Sequence, residues 1–154
     1  MDMQTYAKRA EALRPKLYRT ALCWLGSEAQ AVDVLDEAVY KGLCAAGKLR
    51  QEEYFDTWLT RILLNECHRE QKRQGRLVPM EAAEELTAEQ LDDLPLKQAL
   101  LRLPEDLKNV VILRFFAGYT QAEAAEILDI PQGTVGTRQQ RALRLLRLEL
   151  EVDT

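Results

Sequence analysis

In nearly every segment of this chain the apolar residues recur three or four positions apart, and no other feature limits its fold so tightly. That spacing makes one face of an α-helix, whereas the faces of a strand alternate at every second residue. From Tyr6 to Leu25 the stripe is Ala10, Leu13, Leu17, Ala21 and Trp24. From Glu28 to about Leu43 it is Ala31, Val34, Leu35, Ala38, Val39 and Leu43, with Asp33, Asp36, Glu37 and Lys41 mostly opposite. From about Asp56 to Gln74 it is Trp58, Leu59, Ile62, Leu63 and Cys67. Aromatic residues make up only 6% of the chain, and Leu and Ala dominate the apolar set, which favours helix over strand. The expected fold is therefore all-α.

Local signals set the boundaries. Pro15 marks a break or kink in the first helix, because it has no N–H for the helical ladder. Gly26-Ser27 stops that helix, and Ser27 is the expected N-cap of the next. Gly47 to about Asp56 reads as a loop. The third helix ends in Arg69, Lys72, Arg73 and Arg76, suited to the negative end of a helix dipole. Residues 77–95 are acidic, contain Pro79 and Pro95 and lack a long apolar stripe, so they read as a linker, with a helical turn around 82–86 or 88–91. Helix resumes at 96–103, and Pro104 starts another segment with Leu107, Val110, Val111, Leu113 and Phe115 as its core face. Gly118-Tyr119 ends it, and Thr120-Gln121-Ala122-Glu123 has the spacing of a capping box. Asp129 to Gly133 turns the chain into a last helix over about 134–149. The organisation expected is two small helical domains, 1–76 and 96–154, joined by the acidic linker 77–95.

The net charge of −4 does not exclude nucleic acid, because distribution decides whether phosphate is attracted. Residues 1–76 carry 13 basic and 11 acidic residues, and 134–148 carry Arg138, Arg141, Arg144 and Arg147 with no acid. An enzyme is not expected. His68 is the sole histidine, which removes His-based triads and multi-histidine metal sites, and no glycine-rich phosphate loop is present. Neither a metal nor another cofactor is expected. The odd, scattered Cys23, Cys44 and Cys67 argue for a reducing cytoplasm. Met1-Asp2-Met3-Gln4 does not begin a signal peptide, and no apolar run approaches the ~20 residues that span a bilayer.

From Thr120 to about Arg147 the pattern is a helix, a short turn and a second helix, with small Ala124 and Ala125 allowing a close crossing. This is a helix-turn-helix, whose second helix enters the major groove of DNA. Thr134, Thr137, Arg138, Gln140 and Arg141 lie in the first turns of that helix and can bond base edges or phosphates. On pattern alone, the alternative is a packed helical hairpin with a solvated arginine face, and DNA binding is the favoured reading of the two.

Leu103-Pro104-Glu105-Asp106-Leu107, Val110 to Phe116, Gly118 to Leu128 and Ile130 to Val135 closely resemble the C-terminal domain of extracytoplasmic-function (ECF) sigma factors. Gln30 to Ala38 resembles the family's helix that docks on core RNA polymerase, and Tyr54 to Asn65 its −10 segment. These matches cover most of residues 6–150 in the family's order. The resemblance implies a sigma factor with core RNA polymerase, promoter DNA and an anti-sigma factor as partners. It further implies that Asp33, Asp36 and Glu37 face the polymerase clamp. At the −10 element, Asn65 would read a base captured beside the 47–56 loop. Tyr54, Phe55 and Trp58 are the candidates to stack there, with core packing the alternative for Phe55 and the favoured reading for Trp58. Arg61, Arg69, Lys72 and Arg73 would hold phosphates. At the −35 element, Thr134, Gly136, Thr137, Arg138, Gln140 and Arg141 would contact DNA. Gly136 stands where the family usually has Lys or Arg, and Asp129 where it has a turn glycine, although Asp tolerates the left-handed region. Asp36 replaces a common Gln, and Arg69 falls where an acid is common. The competing readings are a stand-alone helix-turn-helix regulator that ignores polymerase, and a helical interaction module with no nucleic-acid role.

Overall fold

The computed structural model describes residues 1–74 and 94–152, all of whose regular structure is helical. Helix α1 spans Met3–Leu25, α2 Glu28–Ala45 and α3 Phe55–Arg73. The second half holds α4 (Leu94–Arg102), α5 (Glu105–Val111), α6 (Gln121–Leu128) and α7 (Gln132–Val152). Short 3₁₀ turns at Ala46–Lys48 and Glu52–Tyr54 occupy the loop before α3. Most of the linker read at 77–95, its proposed helical turns and Arg76 lie outside the described residues; α4 begins at Leu94, inside the stretch read as linker.

The caps form as the sequence dictates. Ser27 Oγ accepts from the Gln30 N–H at 3.3 Å. Thr120 Oγ1 accepts from the Glu123 N–H at 3.1 Å, and Glu123 Oε1 accepts from the Thr120 N–H at 2.9 Å. Each cap satisfies amides that have no partner within the helix. Gly26 closes α1 at φ 71°, a left-handed conformation that side chains with a Cβ resist. Pro15 does not break α1. Pro15 and Glu11, whose carbonyl loses its helical donor, both lie on the exposed side, while Leu13, Leu17 and Ala21 hold the other face in the core.

Helices α1, α2 and α3 pack around Leu17, Trp24, Leu35, Leu59 and Leu63. α2 crosses close to α1 and α3 at Gly42, where an added Cβ would collide with the Tyr6 hydroxyl and stand 2.9 Å from Leu59 Cδ1. In the second half, α5 and α6 pack on α7 through Leu107, Val110, Ala124, Val135 and Ala142. Two expected core positions differ. Leu43 is at the surface, and Phe115 is 50% exposed. Ile112–Phe116 forms a π-helical turn, whose wider winding carries Ile112 and Leu113 inward and swings Phe115 out of phase.

The apolar core continues from one half into the other. Trp24 Nε1–H donates to Asn109 Oδ1 at 2.7 Å in a buried bond. The Thr60 and Tyr119 hydroxyls are 2.6 Å apart, also buried, and the Lys16 ammonium lies 3.9 Å from the Tyr119 ring centroid. At the rim, Arg61 is 3.5 Å from Asp129, and His68 Nε2 is 3.5 Å from Glu105.

Candidate nucleic-acid interface

The helix-turn-helix is α6, a turn and α7. Asp129 ends α6 at φ 57° and ψ 48°, the left-handed conformation read for it from sequence. α7 begins at Gln132, directly after Pro131 and two residues earlier than expected. Val135, Ala142 and Leu146 point inward, so the opposite face of α7 meets solvent. Thr137, Gln140 and Arg141 are exposed, whereas Thr134, Gly136 and Arg138 are half-buried. Among the described residues, Gln140, Arg141 and Arg144 have no hydrogen-bond or ion-pair partner. The Thr137 hydroxyl donates to the Gly133 carbonyl at 3.0 Å, which leaves its oxygen lone pairs available as acceptors. A Cβ at Gly136 would make only ordinary contact with the Gln121 amide at 3.7 Å, so packing does not require glycine there.

Residues that the sequence reading passed over hold this surface in shape. Arg114 Nε donates to Gln139 Oε1 at 2.9 Å, and its Nη1 donates to the Tyr119 carbonyl at 2.6 Å. Gln121 Nε2 reaches the same Gln139 oxygen at 3.2 Å, tying α6 to α7. An open cleft of about 340 Å³ lies between the start of α5 and α7, lined by Asp106, Thr134, Thr137, Arg138 and Arg141 among others. Arg138 Nε is 3.8 Å from Asp106 Oδ2 across it. No sequence periodicity signals these pairings, because all of them lie beyond the three- and four-residue spacing within one helix.

On the first half, Arg61, Asn65, Arg69 and Lys72 are spaced three or four apart and form one exposed stripe along α3, with Arg73 beside it. Asn65 and Lys72 have no partner among the described residues. Arg73 is 2.9 Å from Glu70, and Arg61 faces Asp129 of the other half. The two aromatics expected at the loop diverge. Tyr54 is 44% exposed, whereas Phe55 is fully buried, its ring 5.8 Å from that of Tyr6. Phe55 is therefore a packing residue without a face open to a base. Trp58 is half-buried against both rings.

Asp33, Asp36 and Glu37 are all exposed on α2. Asp36 is paired with Arg14 of α1 at 2.7 Å, whereas Asp33 and Glu37 are in no ion pair among the described residues. Exposed Val32, Tyr40 and Leu43 accompany them on this helix, an apolar component the charge pattern did not signal.

Residues 10–77 match sigma-70 region 2 and residues 93–146 match sigma-70 region 4. The chain is 34% identical to RNA polymerase sigma factor SigV of Bacillus subtilis over 86% of its own length and 83% of that protein. It is 30% identical to ECF RNA polymerase sigma factor SigM of Mycobacterium tuberculosis, over 86% of its length and 71% of that protein. In fold it is similar to CnrH in complex with the cytosolic domain of CnrY (TM-score 0.80, 23% identity, 99% of this chain and 92% of that one). A similar likeness holds to the sigma factor RpoE bound to the anti-sigma factor NepR from Bartonella quintana (TM-score 0.79, 22% identity, 99% and 100%). A helical chain with a helix-turn-helix at one end and a polar, cationic helix face at the other is of the DNA-binding transcription-factor class. It belongs to the sigma-70 family, within the extracytoplasmic-function group.

Proposed function

We propose that this chain binds core RNA polymerase and directs it to promoters, contacting the −10 element through α3 with its preceding loop and the −35 element through α7. The observation that carries this reading is the presence of both sigma-70 regions in one chain, each with an exposed polar and cationic helix face. Asn65 reads a −10 base, and Tyr54 offers it a stacking surface. Phe55 backs the loop from the core. Arg61, Arg69, Lys72 and Arg73 hold phosphates, which adds salt dependence rather than sequence choice. At the −35 element Thr137, Gln140 and Arg141 meet the major groove, flanked by Thr134, Gly136 and Arg138. Asp33, Asp36 and Glu37 face the polymerase clamp. The protein works by binding and not by catalysis, in the cytoplasm; among the described residues no helix is long and apolar enough to cross a membrane. An anti-sigma factor holds it inactive, a reading supported by the similar fold of RpoE, which was solved bound to the anti-sigma factor NepR.

The two domains, 1–76 and 96–154, part along 77–95 when promoter is bound. Elements about 25 base pairs apart lie roughly 85 Å apart on B-DNA. The two DNA-facing surfaces instead meet at the Arg61–Asp129 pair, 3.5 Å across. The stand-alone regulator is not favoured, because it gives the region 2 match no role.

The test is co-elution with bacterial core RNA polymerase, followed by run-off transcription from the protein's own upstream region. A stable complex and a discrete transcript, lost in Asn65→Ala and Arg141→Ala, are expected. Duplex binding without polymerase binding would transfer the assignment to the regulator.

A further inference from the structure

One side chain of α1 reaches across to the loop that precedes α3. Arg9 Nη1 donates to the Glu52 carbonyl at 2.6 Å. Its guanidinium carbon lies 4.6 Å from the Phe55 ring centroid, and its Nη2 is 3.9 Å from Asp56 Oδ1. A single planar fork thus touches a carbonyl, a ring and a carboxylate within five consecutive residues. Tyr54, the exposed aromatic of the loop, lies between these anchors. Its own carbonyl accepts from the Thr57 hydroxyl at 3.1 Å, and its N–H donates to the Gln51 carbonyl at 3.1 Å.

We propose that Arg9 is a positioning residue for −10 recognition, holding the 52–56 turn in the shape that presents Tyr54 to an unstacked base; this rests on the −10 role proposed above for the loop and α3. The physical reason is preorganisation. A base leaves its stack only if the pocket recovers the cost, and a loop ordered at that moment recovers less than one ordered beforehand. Arg9 acts on the loop, where its guanidinium makes one hydrogen bond, one ring contact and one ion pair. Lysine cannot replace it, since an ammonium lacks the flat fork that bonds a carbonyl while stacking on a ring.

The experiment uses holoenzyme assembled from core RNA polymerase with wild-type, Arg9→Ala or Arg9→Lys protein. Open-complex formation is measured on promoters carrying each of the four bases at the position Asn65 reads. Polymerase affinity, −35 duplex affinity and melting temperature are recorded in parallel. Both variants should lose about tenfold in discrimination between the best and worst base, about one factor of ten in an equilibrium constant. Polymerase and −35 affinities should stay at wild-type levels. Arg9→Lys keeps the charge, so the same loss in it assigns the effect to geometry, and it carries the test if Arg9→Ala fails to fold. Wild-type discrimination in a folded variant, or a loss spread equally over all bases, overturns the positioning role while leaving the sigma assignment intact. If wild-type holoenzyme opens no promoter, the sigma assignment and this inference fall together.

Discussion

Asn109→Ala tests whether the two halves share a buried polar bond. The Trp24 ring is completely buried and Asn109 is 7% exposed, so neither has ready access to water. The indole N–H gives its proton to Asn109 Oδ1 at 2.7 Å. Alanine removes that acceptor and leaves the N–H buried without a partner, which costs about 1–3 kcal/mol. At this chain length the loss corresponds to a fall in melting temperature of roughly 2–4 °C per kcal/mol. Urea unfolding followed by circular dichroism should be run on Asn109→Ala, Trp24→Phe and the double variant. Trp24→Phe removes the donor, so once it is present the second substitution should cost less, with a coupling of about 1 kcal/mol or more. Additivity of the two single effects to within about 0.5 kcal/mol would refute this bond between the halves. If promoter engagement parts the halves, as proposed above, Asn109→Ala should form open complexes at least as well as wild type.

Gly42→Ala would be mildly favourable in an ordinary helix interior, yet here the methyl meets the Tyr6 hydroxyl and Leu59. Overpacking should instead cost about 1–3 kcal/mol, read as a lowered melting temperature. Thr120→Ala opens the capping box and should cost about 1 kcal/mol, measured by the same unfolding curve. The neighbouring His68 ring, and then Lys108, hold the Glu105 carboxyl below its ordinary value of 4.5. A carboxylate depressed in the folded state contributes stability above its unfolded pKa and loses it as pH falls through the folded one. Wild type should therefore lose stability below about pH 4.5 more steeply than Glu105→Gln, and parallel acid-unfolding curves for the two would contradict this.

The fold class was legible because its signals act within about four residues. The stripes of α1, α2 and α3, the Ser27 cap, the Thr120–Glu123 box and the left-handed Asp129 each depend on neighbours that any chain with these residues would bring together. The resemblance to sigma factors was legible for the same reason, since it rests on runs of consecutive residues. The open face of α7 and the basic end of α3 followed from helical spacing, whereas Arg61 and Asn65 of the α3 stripe were expected only from the resemblance.

Tertiary structure decided which side chains remain available. Phe55 carries the same aromatic ring type as an exposed stacking residue, yet α1 lays Tyr6 and Arg9 against it and makes it core. Asp36 looks equivalent to Asp33 and Glu37 until Arg14 pairs with it across α1 and α2. Phe115 fits the helical period, but the π turn at Ile112–Phe116 shifts the phase by which it would be buried. The contacts joining the halves link residues 59 and 85 positions apart. A local pattern fixes helices because the partners are already adjacent; Trp24 and Asn109 meet only after both sets of helices have packed, when burial and geometry choose among many surfaces that the sequence leaves equivalent.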